Sequence, residues 1–176
     1  TPAEAAFDDL VAIAAAICGM PMGAVTLIDA ERQWFKTRLG LEDPQPPRDH
    51  SFCAHAILEP QRMLIVPDAR DDARFCDNPA VTGAPGVRFY AGAPLLDAEG
   101  LAMGALCVMD REPRELAPYQ RAALDALSRQ VSALLQLRRV SLELRLHLQE
   151  RGWYEQQLQQ FSAELERQNA DLSEQV

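Results

Sequence analysis

The chain has 176 residues, a formal charge of −9 and 48 % hydrophobic residues. That length suits one domain of about 140 residues plus an extension, and the apolar share supports a core and excludes general disorder. Residues 1–110 carry 16 acids against 8 bases, whereas residues 111–176 are nearly balanced, so an acidic globular part excludes a nucleic-acid or anionic-membrane surface.

No run of 18 apolar residues and no charged–apolar–small leader occurs, so neither membrane insertion nor a targeting segment is expected. Cys18, Cys53, Cys76 and Cys107 are widely spread with no CxxC spacing. They are expected to be reduced thiols in a cytoplasmic protein.

In chain order, Thr1 to Met20 reads as a helix. Thr1 can cap it, Pro2 suits the first turn and Glu4 stands where a capping-box acid would. Phe7, Leu10, Val11, Ala14 and Ile17 form an apolar stripe, and Gly19 ends the helix. A helix starting at the first residue implies a segment of a longer protein. Gly23–Asp29 and Gln33–Leu39 are β-rich runs joined as a hairpin, and Gly40 to Pro47 is a loop.

Ser51 can cap a short helix over Phe52–Leu58, and Met63–Val66 reads as a short strand. Asp71 is expected to cap a turn around Arg74-Phe75, and Asn78-Pro79 to start another short helix. Val87–Leu96 and Leu101–Met109 are long strands joined through Asp97–Gly100, and their Gly and Ala residues leave room for helices to pack on the sheet.

From Pro118 onward nothing interrupts a helix: no further proline follows and Gly152 is the one glycine. Alternating steps of three and four residues from Leu134 trace a single heptad seam: Leu137, Ser141, Leu144, Leu148, Arg151, Glu155, Leu158, Ser162, Leu165, Asn169, Leu172 and Val176. A helix on the order of 90 Å needs a partner, and a second copy is the simplest. Leu165, Asn169 and Leu172 favour a parallel pair, with Asn169 fixing register. Ser141, Arg151, Glu155 and Ser162, with Gly152 among them, mark the weak segment.

The predicted fold class is therefore α+β: a central antiparallel sheet, terminal helices on one face, and an irregular insert covering a pocket on the other. Residues 1–140 form the sensory domain, and 141–176 a coiled-coil helix leading to an output domain outside this chain.

Seven segments, in order, resemble the GAF family of small-molecule sensing domains over roughly residues 1–140. They are Phe7–Leu10, Val25–Asp29, Gln33–Lys36, Arg48–Ile57, Val66–Phe75, Val87–Pro94 and Gly104–Asp110. The resemblance implies a fold rather than one ligand, because members bind cyclic nucleotides, bilins, haem, small acids or nothing identified. It also implies a place upstream of a bacterial histidine kinase or diguanylate cyclase.

Bilin-binding members place a histidine directly after the chromophore cysteine, but Cys53 precedes Ala54 and Cys76 precedes Asp77. Another branch reduces free methionine sulfoxide with paired thiols, and Cys53, Cys76 and Cys107 fall on three elements facing the expected cavity. Cys53 and His55, two residues apart on a helix, point in different directions and do not make a metal pair. No metal site is expected, and the plain alternative for Cys53 is a buried structural thiol.

Asp68, Arg70, Asp71, Asp72 and Arg74 are read first as local ion pairs. Arg70, Arg74 or Arg88 would meet an anionic ligand if the pocket takes one, Arg88 foremost, since it alternates with Tyr90 along a strand. The candidate pocket is Trp34, Phe52, Cys53, Asp68, Arg74, Phe75, Arg88, Tyr90 and Cys107. The candidate dimer seam is Leu134, Leu137, Leu144, Leu148, Leu158, Leu165, Asn169 and Leu172.

The expected function is a regulatory, non-catalytic sensing domain that homodimerises and relays a small-molecule or redox signal along the helix. The cofactor is unknown, and no catalytic residue is assigned. A thiol-dependent methionine sulfoxide reductase and a purely structural dimerisation module are the alternatives.

Overall fold

The computed structural model describes residues 2–42 and 47–174. The expected Thr1 cap, loop residues 43–46 and Val176 lie outside that range, and the Glu4 and Leu172 side chains are likewise outside the description. Residues Thr1–Leu134 pack as one unit and Leu135–Val176 as a second.

The first helix, α1 (Pro2–Cys18), is closed by Gly19 at φ 65°. Gly19 N–H donates to the Ala16 carbonyl (3.2 Å) and Met20 N–H to the Ala15 carbonyl (2.9 Å), which satisfies the last turn. The buried face of α1 is Phe7, Val11, Ala14, Ala15 and Cys18. Ile17, expected in that stripe, is 38 % exposed. The true face steps by four, three and four residues, which rotates it off Ile17.

Among the described residues, five strands follow: β1 (Met22–Ile28), β2 (Gln33–Leu39), β3 (Leu64–Val66), β4 (Phe89–Leu96) and β5 (Ala102–Asp110). They form one antiparallel sheet in the order β2-β1-β5-β4-β3. Two aspartates set the hairpins. Asp29 Oδ1 accepts from the Glu31 and Arg32 amides, and Asp97 Oδ1 from the Glu99 and Leu101 amides.

Strand alternation splits the core into two layers. On one side the Cα of Gly23 faces Val11 of α1 so closely that a Cβ would lie 3.2 Å from it. On the other, Met22 and Ala24 join a buried cluster with Phe52, Cys53, Val66, Phe75, Val87, Tyr90 and Cys107. Of the small residues of β4 and β5 expected to admit helices (Ala91, Gly92, Ala93, Gly104 and Ala105), Ala105 joins the buried cluster with Phe52, Cys53 and Ala56, whereas the two glycines serve other contacts. A Cβ at Gly104 would overlap the Thr26 carbonyl of the neighbouring strand, and one at Gly92 the Tyr90 hydroxyl.

The insert holds a 3₁₀ turn (Arg48–His50), α2 (Phe52–Ala56) and α3 (Pro79–Thr82). Asn78 caps α3 by accepting from the Ala80 amide, and its Nδ2 donates to the His50 carbonyl at 2.8 Å, tying the two ends of the insert together. The turn before Phe75 is organised by Asp72, not Asp71: Asp72 Oδ1 accepts the Arg74 amide and its carbonyl the Phe75 amide. An Asx turn reaches two residues on, and only Asp72 has that spacing.

The last helix, α4, spans Pro118–Glu174. Within the first unit Leu124 and Val131 are fully buried, and Ser132 Oγ accepts the Leu96 amide at 3.1 Å. From Leu137 to Leu165 the seam leucines are exposed. No helix among the described residues is long and apolar enough to cross a membrane.

Candidate functional site

Ser51 starts the site. Its Oγ accepts the Ala54 amide at 2.9 Å, capping α2, and donates to the Gln33 carboxamide oxygen on β2. The cap fixes α2 over the sheet with Phe52, Cys53, Ala54 and Ala56 buried. Phe52 stacks between Phe75 (ring centroids 4.2 Å apart) and Tyr90 (5.0 Å), and His55 meets the Phe75 edge at 4.8 Å.

Below Phe52 three polar atoms converge. Tyr90 Oη donates to Cys53 Sγ at 3.2 Å, Cys53 Sγ and Cys107 Sγ are 3.8 Å apart, and Cys107 Sγ lies 3.6 Å from the Ala24 carbonyl. All three side chains are buried. Hydrogen bonding from Cys107, opposed by burial and supported by Thr26 and Tyr90, draws the Cys53 thiol below its ordinary range. The bond to Cys53 and then burial hold Cys107 well above it. Burial does the same to the Tyr90 hydroxyl.

This triad floors a cavity of about 510 Å³. Phe35, Leu41, Phe52, Val87 and Met109 give it apolar walls, with Gln33, Ser51 and Asn78 as polar points. Glu42, His50, Pro79 and Arg111 lie on its lining and are solvent-exposed, so the cavity opens between the insert and the sheet. Arg111 Nε is held by the Pro85 carbonyl at 3.0 Å.

Of the sequence candidates, Phe52, Cys53, Tyr90 and Cys107 line this cavity. Trp34, Asp68, Arg74, Phe75 and Arg88 are not among the lining residues. Trp34 lies on β2 opposite Leu27, and Phe75 is buried behind Phe52. Asp68 and Asp72 are each gripped by two guanidinium nitrogens, Nε and Nη2, of Arg70 and Arg74, respectively. Arg70 holds the Asp68 carboxyl down at about 2, and Arg74 lowers Asp72 likewise.

Arg88 does not share a strand face with Tyr90. β4 begins one residue after it, and its guanidinium donates to the Val81 and Val87 carbonyls at 2.7 and 3.2 Å. Both bonds are made by Nη1, to backbone carbonyls. Sequence reasoning passed over Gln33, Ser51, Asn78, Met109 and Arg111. Ser51 and Asn78 carried a signal, their capping positions before α2 and α3.

A sheet thus carries helices on one side and a cavity under an irregular insert on the other. The model of the GAF domain matches residues 2–135, and the chain belongs to that family. It is 47 % identical over 132 residues to the cyclic di-GMP phosphodiesterase PA2567 of Pseudomonas aeruginosa, spanning 74 % of this chain but only 22 % of that protein.

The fold also matches the GAF domain of PixJ from Thermosynechococcus elongatus, solved in its blue-light absorbing form (TM-score 0.65, 18 % identity, 83 % of this chain and 91 % of that one). It matches the free methionine-R-sulfoxide reductase of Neisseria meningitidis (TM-score 0.64, 15 % identity, 79 % and 81 %). At these identities the likeness is one of fold alone.

Proposed function

We propose that residues 1–140 are a regulatory sensing domain without catalysis of its own, and that residues 141–176 pair with a second copy and relay its state to an output domain. The observation that carries this reading is the course of β4. It places Tyr90 on the cavity floor and, six residues on, Leu96, whose amide is bonded to Ser132 of α4 just before the heptad seam at Leu134. A ligand that moves Tyr90 therefore acts on a strand tied to the helix.

The seam supports the pairing. Leu137, Leu144, Leu148, Leu158 and Leu165 are 44–68 % exposed in a single chain, more repeated apolar surface than one helix leaves to water. We assign Phe52, Cys53, Tyr90 and Cys107 to the ligand site. The relative's name makes an enzyme of cyclic di-GMP turnover the first output to test.

Native mass spectrometry of the purified chain tests the reading. A dimer retaining a small molecule is the expected result, and a monomer at micromolar concentration overturns the relay. The Cys53–Cys107 pair also favours a second reading, a thiol-dependent reductase; turnover of free methionine sulfoxide with a dithiol reductant separates it from the first.

A further inference from the structure

Cys53 and Cys107 come from different elements, α2 and β5, yet their sulfurs meet at 3.8 Å on the floor of a cavity that opens to solvent. A disulfide needs the sulfurs at about 2.0 Å, so the two side chains must close less than the width of one atom. Packing alone does not explain the polar environment, because Tyr90 Oη is aimed at Cys53 Sγ from a fully buried ring. Gly92, beneath that ring, leaves the space the hydroxyl occupies.

We propose that Cys53 and Cys107 form a reversible two-electron oxidation site that reacts with a hydroperoxide entering the cavity. The inference gives the sensing cavity a signal of defined chemistry and depends on the proposed function only for what that signal then does.

The first step is attack of the Cys53 thiolate on the peroxide. An S–O bond forms, the O–O bond breaks, and the alkoxide or hydroxide that leaves takes a proton to become an alcohol or water. Cys53 is now a sulfenic acid. The Cys107 sulfur then attacks Cys53. The S–S bond forms, the S–O bond breaks, and the departing hydroxide takes the Cys107 proton and leaves as water. Two thiols lose two electrons to one peroxide, and a dithiol returns them.

The environment suits these roles. Tyr90 Oη donates to Cys53 and favours its thiolate, whereas the bond to Cys53 raises Cys107 first of all. Once Cys53 is a sulfenic acid that thiolate is gone, and Cys107 loses its proton to the departing hydroxide as it attacks. Cys18 lacks such a partner among the described contacts, and burial pushes it up to about 11. Cys76 is half-buried but not a lining residue of the cavity.

The test is exposure of the fully reduced chain to hydrogen peroxide and, separately, to cumene hydroperoxide, followed by alkylation and peptide mapping. The expected product is a Cys53–Cys107 disulfide, reversed by dithiothreitol. Oxidation at Cys76 alone, or Cys53 advancing to sulfinic acid beside an unreacted Cys107, overturns the proposal without needing any variant.

Cys107→Ala should stop the reaction at a Cys53 sulfenic acid trapped by dimedone. Tyr90→Phe, which keeps the ring, should slow the first step by about tenfold, the loss of roughly one hydrogen bond to a thiolate, and move the pH midpoint of oxidation upward. Sedimentation of the same samples separates the two ideas. A disulfide formed in a monomer leaves the site standing and removes the relay, and a dimer with no disulfide does the reverse.

Discussion

Gly92 lies under the Tyr90 side chain, and a Cβ there would sit 2.7 Å from Cζ and overlap the hydroxyl. Since the ring is fully buried and stacked on Phe52, making room for that Cβ disturbs the stack. Gly92→Ala should destabilise the chain by about 1–3 kcal/mol in urea denaturation and lower the thiolate fraction of Cys53.

Gly19 presents the opposite case: open space surrounds it, but its φ is 65°. Gly19→Ala should therefore cost about 1 kcal/mol through backbone conformation alone. Acid acts through Asp68, whose carboxyl Arg70 holds at about 2 against an ordinary 3.8. A folded-state value below the unfolded one stabilises above pH about 4 and is lost as pH falls towards 2. The melting temperature should drop across that window, and Asp68→Asn should flatten the drop.

At the scale of elements, β4 and α4 meet through Ser132. Ser132→Ala should remove about 0.5–1.5 kcal/mol, and in the full-length protein it should weaken regulation more than it weakens ligand binding in the cavity. The g positions preceding Ser141, Glu155 and Ser162 are Val140, Tyr154 and Phe161, each 58–64 % exposed. They broaden the apolar seam where its a positions are polar, which offsets part of the weakness those positions introduce. Asn169→Leu should raise the thermal stability of a paired helix and loosen its register, seen as mixed species in light scattering. Unchanged oligomer size and stability would show that Asn169 does not lie in the seam.

For the molecule as a whole, two layers of core divide the labour. The layer under α1 holds Phe7 with the aliphatic and small residues Val11, Ala14 and Ala15, and the layer under the insert contains the aromatic stack and the thiol triad, where a cavity remains. Most of this was legible as pattern. Strand alternation, the Asp-led hairpins, the Gly19 stop and the uninterrupted heptads are local chemistry, expressed over a few residues of chain. The charged insert was legible too as ion pairs, although Asp72 rather than Asp71 makes the turn.

What the sequence by itself determined was the order and kind of elements, the family they spell, and a long helix carrying a heptad seam. Each follows from spacing along the chain, which short-range sterics and hydrogen bonding read directly. Only the tertiary structure decided that Cys53 meets Cys107 across 54 residues, that Arg88 turns to backbone carbonyls, and that Gly92 makes room for Tyr90. Those outcomes depend on which elements cross and how closely. No residue spacing encodes the distance between a helix and the sheet it covers.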